Sequence, residues 1–296
     1  MPSAELQTVI DLLQKMWVSD EVSVEAGRAR LEIAASLYQR PPDVRYEPVD
    51  AGGVRAEWTV APNADANRTL VYFHGGAYTA GSIGSHRPLA TELSRAAGVR
   101  VLNVEYRLAP EHPHPAAVED AVAVTRFLWK QGFVPERTAF GGDSAGGGLT
   151  VAALVALRDA SDPLPAAAVC LSPWTDLSFG FDSIRTRAAE DPMVRLPQLA
   201  ASRDCYVAGG DAKAPTVSPV FADLAGLPPL FIQVGSAEIL RDDSTELAAR
   251  AKRAGVDATL EVWDDMIHVF QAFFALLPEG RQAIERIASF LRARLA

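Results

Sequence analysis

The chain has 296 residues, 49% of them hydrophobic and 22% charged, an ordinary globular composition that excludes disordered and fibrous classes. Acidic residues outnumber basic ones by 37 to 28, for a net charge of −9, and no extended basic cluster offers the concentrated positive face that a nucleic-acid partner requires. No apolar run approaches the roughly 20 residues of a membrane span, and the N-terminus MPSAELQTVIDLLQKMW lacks the basic start and continuous apolar core of a signal peptide, so no membrane partner and a cytoplasmic location are expected.

Two amphipathic stripes open the chain. Leu6, Val9, Ile10, Leu13 and Met16 recur at helical spacing, and Ala26, Leu31, Ile33, Ala34 and Leu37 form a second stripe before Pro41-Pro42 stops it. Short β-rich runs then predict strands at 44–49, 54–60, 69–73, 99–106, 138–142, 166–171, 230–234 and 258–263. Helical patterns fill the gaps at about 86–97, 115–131, 145–159, 242–254 and 281–294. Most of the later strand runs are uniformly apolar, as suits strands covered on both faces, so the alternation predicts a three-layer α/β fold. Between Leu177 and Ser218 over forty residues pass without a strand run, interrupted by Pro192, Pro197 and Pro215, with one helix predicted around 197–206. Long insertions of this kind are commonly lids or binding elements. Residues 1–42 and about 178–216 are therefore expected to form a helical cap, and 43–177 with 217–296 the catalytic domain. Cys170 and Cys205 are too few and too far apart for a metal cluster and are expected as free thiols; no metal or organic cofactor is expected.

Residues 138–150, TAFGGDSAGGGLT, read as a strand, a glycine-flanked corner and a helix. Within them Gly142-Asp143-Ser144-Ala145-Gly146 fits G-x-S-x-G, a strained turn that holds a serine hydroxyl at the end of a sheet. Its glycines permit the close approach of strand and helix that a Cβ would block. Alone, the pentapeptide arises by chance in roughly one chain in ten of this length; its place between a strand run and a long helix gives it weight. A nucleotide-binding turn is the competing reading, but no G-x-G-x-x-G follows the first strand and no G-x-x-x-x-G-K-[ST] is present.

The run 69–73 ends in His74-Gly75-Gly76-Ala77, close to the HGGG-type oxyanion loop of lipases and esterases. Gly75, Gly76 and Ala145 are the candidate backbone donors to a tetrahedral oxyanion, with Ala77 standing where a further glycine is usual. His74 is read as a brace of the loop. Of the five histidines, His74, His86, His112, His114 and His268, only His268 lies downstream of Ser144, as the chain order serine, acid, histidine demands. The acid should follow the run 230–234, where Glu238, Asp242 and Asp243 compete. The two aspartates suit a helix N-terminus equally well. Glu238, three residues past Gly235, stands where a side chain reaches the next loop and holds an imidazole in one tautomer.

Together HGGA at 74–77, YRLAPEHPHPA at 106–116, GDSAGG at 142–147 and MIHVF at 266–270 resemble the bacterial hormone-sensitive-lipase family (family IV) of carboxylesterases, over nearly the whole chain. The resemblance implies the α/β-hydrolase fold, a mostly parallel eight-stranded sheet flanked by helices, with a helical cap. It implies a serine carboxylesterase acting on short-chain esters through an acyl-enzyme on Ser144, with His268 as base. In the family a D-P-L-x-D-E type segment supplies the acid. Its first Asp falls on Glu238, its second acidic position on Asp242, and Ile239 replaces the proline, which implies Glu238 as the acid and Asp242 as the alternative. Asp143 and the YRLAPE segment are implied as supports of the nucleophile turn, with Tyr106, Arg107 and Glu111 read as buried hydrogen-bonding groups.

Trp17, Met193 and Tyr206, with Phe181, are candidate walls of an apolar substrate pocket and equally candidates for the core of the cap. A homodimer through the edge run 258–263 is a further expectation from the family. Two other readings share the fold: an amidase or peptidase with the same triad, and a non-catalytic small-molecule receptor like the plant gibberellin receptors, which lack the histidine that His268 provides here. Dehalogenase or epoxide hydrolase chemistry needs Asp at 144, and nothing reads as the interfacial apolar surface of a long-chain lipase.

Overall fold

A computed structural model describes residues 3–16, 23–36 and 38–295. Its centre is a sheet of eight strands: β1 (Arg45–Asp50), β2 (Arg55–Val60), β3 (Asp65–Phe73), β4 (Val99–Val104), β5 (Thr138–Asp143), β6 (Ala167–Leu171), β7 (Leu230–Gly235) and β8 (Ala258–Trp263). Their order is β1-β2-β4-β3-β5-β6-β7-β8. β2 pairs antiparallel with both β1 and β4, and every pairing from β4 to β8 is parallel, the mostly parallel sheet that was expected. β5, β6 and β7 are buried at every residue, whereas the edge strands β1 and β8 are mostly exposed or half-buried.

Among the described residues the helices are α1 (Ala4–Met16), α2 (Val24–Ser36), α3 (Ile83–Ala97), α4 (Ala116–Lys130), α5 (Ala145–Asp159), α6 (Ser183–Thr186), α7 (Leu196–Val207), α8 (Arg241–Arg253) and α9 (Pro278–Arg294). α3 starts a turn earlier than its apolar pattern predicts because Ser82 and Ser85 form a reciprocal capping box, each side chain accepting the other's backbone N–H. One face of the sheet is covered by α3 and α9, with Leu89, Leu93, Ile284 and Leu291 packed on Leu70 and Val101. The opposite face carries α5, buried almost end to end, with α4 and α8 beside it. Two glycines set how closely α5 lies: a Cβ on Gly146 would stand 1.9 Å from the Phe73 carbonyl oxygen, and one on Gly148 2.1 Å from that of Trp174.

The two segments expected as a cap contribute α1, α2, α6 and α7, and 178–216 contains no strand. α1 buries Leu6, Val9 and Leu13 against Met266, Ile267 and Phe270, in the loop that follows β8. α2 buries none of its residues and is tied down by Arg28, whose guanidinium donates to the Thr79 and Ala109 carbonyls and to both carboxylate oxygens of Glu111. Both cysteines are free; burial pushes the Cys170 thiol up to about 12, which keeps it protonated and unreactive. Among the described residues no helix is long and apolar enough to cross a membrane.

Candidate active site

β5 runs into Asp143, the chain turns at Ser144, and α5 begins at Ala145. Ser144 has φ 53° and ψ −121°, a conformation that a residue with a side chain holds only when its surroundings impose it. They do so here. The Ser144 N–H donates to the Leu171 carbonyl at 2.8 Å, and the Ser144 carbonyl accepts the Trp174 N–H at 2.8 Å and the Gly148 N–H at 3.1 Å. At Gly142 a Cβ would lie 2.3 Å from the Gly146 carbonyl oxygen, so strand end and helix start touch at their backbones. The side chain of Ser144 opens onto a cavity of about 500 Å³ that is also lined by His268.

His268 sits in the loop after β8, with Nδ1 2.7 Å from Oε2 of Glu238, the geometry of an N–H donated to a carboxylate. Glu238 is fully buried, and its other oxygen accepts the Gly235 N–H at 2.7 Å and the Ser172 hydroxyl at 2.8 Å. Ser172 also accepts the N–H of Val269 at 3.1 Å, so one hydroxyl joins the loops that carry acid and base. Sequence reading missed Ser172; no motif marks it, and its only signal is its place directly after β6. Burial alone would depress the His268 pKa, but the charge of Glu238 and its hydrogen bond outweigh burial, with Asp191 and Asp143 adding to them, and hold it above the ordinary value. Ser144 Oγ makes no hydrogen bond to a described residue; catalytic hydrogen bonds commonly tighten only when substrate binds.

The competing carboxylates are engaged elsewhere. Asp242 accepts the Ser183 N–H at 2.9 Å and pairs with Arg241. Asp243 is buried at the start of α8, where it accepts the Thr175 and Asp176 N–H groups at 2.7 Å each, and burial drives its pKa far up.

The loop after β3 departs from expectation at Gly75. Its N–H is directed at Asp143 Oδ1 (3.1 Å) and His86 Nε2 (3.2 Å), so it is not available to an oxyanion. Gly76 and Ala77 line the cavity instead, with φ of 120° and 54°. The turn is closed by the Gly76 carbonyl, which accepts the Thr79 and Ala80 N–H groups; a Cβ on Gly76 would lie 2.2 Å from the Ala80 carbonyl oxygen. Ala145, the first residue of α5, has an N–H without an intrahelical acceptor, as at any helix start.

Asp143 anchors this loop, accepting the Tyr72 hydroxyl at 2.8 Å as well as Gly75, with His86 3.3 Å away. Burial would raise its pKa, but His86 overcomes this and holds it below the ordinary value, while Asp143 holds His86 up against the opposing pull of burial. His86 also lines the cavity and was not singled out from the sequence. His74, the expected brace, stacks on Tyr106 at 4.3 Å, and burial together with the nearby His86 lowers its pKa to about 3, so it is neutral.

Tyr106 is buried, donating its hydroxyl to the His74 carbonyl at 2.6 Å. Arg107 and Glu111, expected to be buried, are instead at the surface: Arg107 pairs with Asp120 and Glu119, and Glu111 with Arg28. Met193 lines the cavity. Tyr206 does not. It is a core residue, stacked on Tyr78 with ring centroids 3.8 Å apart. Phe181 likewise packs on the core beside Phe221. Trp17 lies outside the described residues.

Comparison with known proteins agrees with this fold. A family model described as alpha/beta hydrolase fold matches residues 70–272. An acetyl-hydrolase of Streptomyces hygroscopicus is 47% identical over 296 residues, covering 99% of this chain and 97% of its own. An esterase of Acinetobacter venetianus is 36% identical, over 90% of this chain and 88% of its own. The crystal structure of an esterase from the bacterial hormone-sensitive lipase family superposes with a TM-score of 0.97 at 48% identity, covering both chains completely. A crystal of EstE5 soaked with p-nitrophenyl butyrate gives a TM-score of 0.95 at 46% identity, over 99% of each chain.

Proposed function

The chain belongs to the bacterial hormone-sensitive-lipase family of α/β-hydrolases and is a carboxylic-ester hydrolase, and we propose that it acts on short-chain esters through an acyl-enzyme on Ser144. His268 takes the Ser144 proton as the hydroxyl oxygen attacks the ester carbonyl, and Glu238 stabilises the resulting imidazolium. The N–H groups of Gly76, Ala77 and Ala145 receive the oxyanion. Collapse of the tetrahedral intermediate transfers the proton from His268 to the departing alcohol. Water, deprotonated by His268, then attacks the acyl-enzyme and releases the carboxylic acid.

The observation that carries this reading is the 2.7 Å contact between Glu238 and His268 beside a strained Ser144 on the same cavity. Short acyl chains are supported by the relatives: one is named an acetyl-hydrolase, and EstE5 was soaked with a butyrate ester. In this reading α1, α2 and the segment 178–216 form the cap, which supplies Leu13, Leu31, Met193 and Leu199 to the walls. The test is hydrolysis of p-nitrophenyl esters from acetate to palmitate, with Ser144→Ala as control. Activity on the short chains that vanishes in the variant supports the proposal. Activity only on amide substrates would replace it with an amidase, and activity that survives Ser144→Ala would remove the serine mechanism.

A further inference from the structure

Asp191, between α6 and α7, is a buried carboxylate that the mechanism above does not use. Its oxygens meet three backbone donors. Oδ1 accepts the N–H groups of Met193 and Val194 at 2.9 Å each, and Oδ2 accepts that of Ile239 at 3.0 Å. Met193 and Val194 line the substrate cavity, and Ile239 directly follows Glu238. One carboxylate thus fastens the cavity wall and the acid loop to each other. Its exposed part faces an outer hollow that Gln14, Glu190 and Arg195 also line.

The position of Ile239 gives this contact its purpose. The segment that resembles this one carries proline after the acid, which fixes φ and has no N–H. Ile239 is free in φ and brings a buried N–H that needs an acceptor, and Asp191 provides it. Asp191 is also within electrostatic reach of His268, whose other acidic neighbours are Glu238 and Asp143.

Taking the Ser144 mechanism as given, we propose that Asp191 is a positioning residue for the reaction: it fixes the backbone beside Glu238 and places an additional negative charge near the His268 imidazole. Burial holds the Asp191 pKa above the ordinary value, while His268 and the N–H donors of Val194 and Ile239 pull it back toward the ionised form. The charge favours imidazolium. The hydrogen bond to Ile239 limits how far Glu238 can shift, and a displacement of about 1 Å at a catalytic group costs up to about 10²-fold in rate.

The decisive measurement is the NMR titration of the His268 ring, assigned with His268→Gln, in the wild type, Asp191→Asn and Asp191→Ser, beside the pH profile of kcat/KM for p-nitrophenyl butyrate. Both variants are neutral and keep an acceptor for the Met193 and Val194 amides. Either one that folds should show the His268 midpoint and the acid limb displaced together to lower pH. Asp191→Ala should in addition lose about 10- to 100-fold in kcat, partly recovered in the variants that retain an acceptor. An unchanged His268 midpoint in folded neutral variants, or equal kcat losses in all three, would reduce Asp191 to a scaffold residue. The titration reads the ring without turnover, so failure of the Ser144 mechanism is recognised separately, by esterase activity that persists in Ser144→Ala.

Discussion

At the scale of single residues, the unusual member of the site is Glu238, one methylene longer than the aspartate the family pattern carries. Its length is accommodated by folding back: one oxygen returns to the Gly235 N–H, three residues upstream, while the other reaches His268. Glu238→Gln keeps the shape but presents an amide to Nδ1 and no longer selects the tautomer, so kcat should fall by about 10⁴-fold. Asp242→Ala should leave kcat within a few-fold, since Asp242 serves Ser183 and Arg241. The pH dependence has a definite sign. The base must be neutral, and its pKa in the wild type is held above the ordinary value, so kcat/KM should fall as pH drops through that raised value. In Glu238→Gln the largest charge opposing burial is gone, and the residual acid limb should move to lower pH. Ser172→Ala removes the hydroxyl that ties Glu238 to Val269. It should cost about 1–3 kcal/mol of stability, read by denaturant unfolding, because Glu238 and the Val269 N–H each lose a buried partner. Chain order singles out Ser144 and His268 as candidates, and the family resemblance selects Glu238 over Asp242 and Asp243, whereas Ser172, His86 and Asp191 carry no such signal. The contacts Ser172–Val269, His86–Asp143 and Asp191–Ile239 span 97, 57 and 48 residues, and no local pattern encodes such pairings.

At the scale of elements, the contact between α5 and β3 carries the nucleophile corner and is the least tolerant of added volume. Gly146→Ala would place its Cβ against two backbone carbonyls, of Phe73 and His74, neither of which can move without shifting the loop after β3. We expect it to cost at least about 3 kcal/mol and to abolish soluble, active protein. Gly27 of α2 is the contrast. A Cβ there meets nothing within 4 Å, so Gly27→Ala should stabilise α2 by up to about 1 kcal/mol, read as a small rise in Tm. The strands and helices themselves were legible, because β6 is apolar throughout, β7 is broken only by Gln233 before its final glycine, and β5 ends in the glycine corner that α5 follows. What periodicity does not convey is the side on which a backbone amide faces. Gly75 and Gly76 are adjacent in an oxyanion-type motif, yet Asp143 accepts the amide of the first, and of the motif's residues only Gly76 and Ala77 line the cavity.

For the whole molecule, the proposed mechanism divides the labour between a sheet that fixes the chemistry and helices outside it that would bound the substrate. The helices are held unevenly. α1 is fastened by apolar burial on the His268 loop, and α2 chiefly by the polar grip of Arg28 on Thr79, Ala109 and Glu111. Tyr206 and Met193 illustrate why pocket walls were hard to read from sequence: both are large and apolar in one insertion, but Tyr206 turns inward onto Tyr78 and only Met193 reaches the cavity. Apolar walls contribute about 0.8 kcal/mol for each methylene they bury. While the acyl chain still fits, kcat/KM should therefore rise, by up to about tenfold from acetate to butyrate. Once a cavity of about 500 Å³ is filled, further methylenes must displace α2 or remain in water, and the gain reverses. Met193→Ala enlarges the wall at one point without touching Ser144, Glu238 or His268, so it should move the preferred p-nitrophenyl ester toward longer chains while acetate hydrolysis changes little. A wild-type profile that climbs steadily to palmitate would show instead that α2 yields to the substrate, and that the cavity does not set the limit.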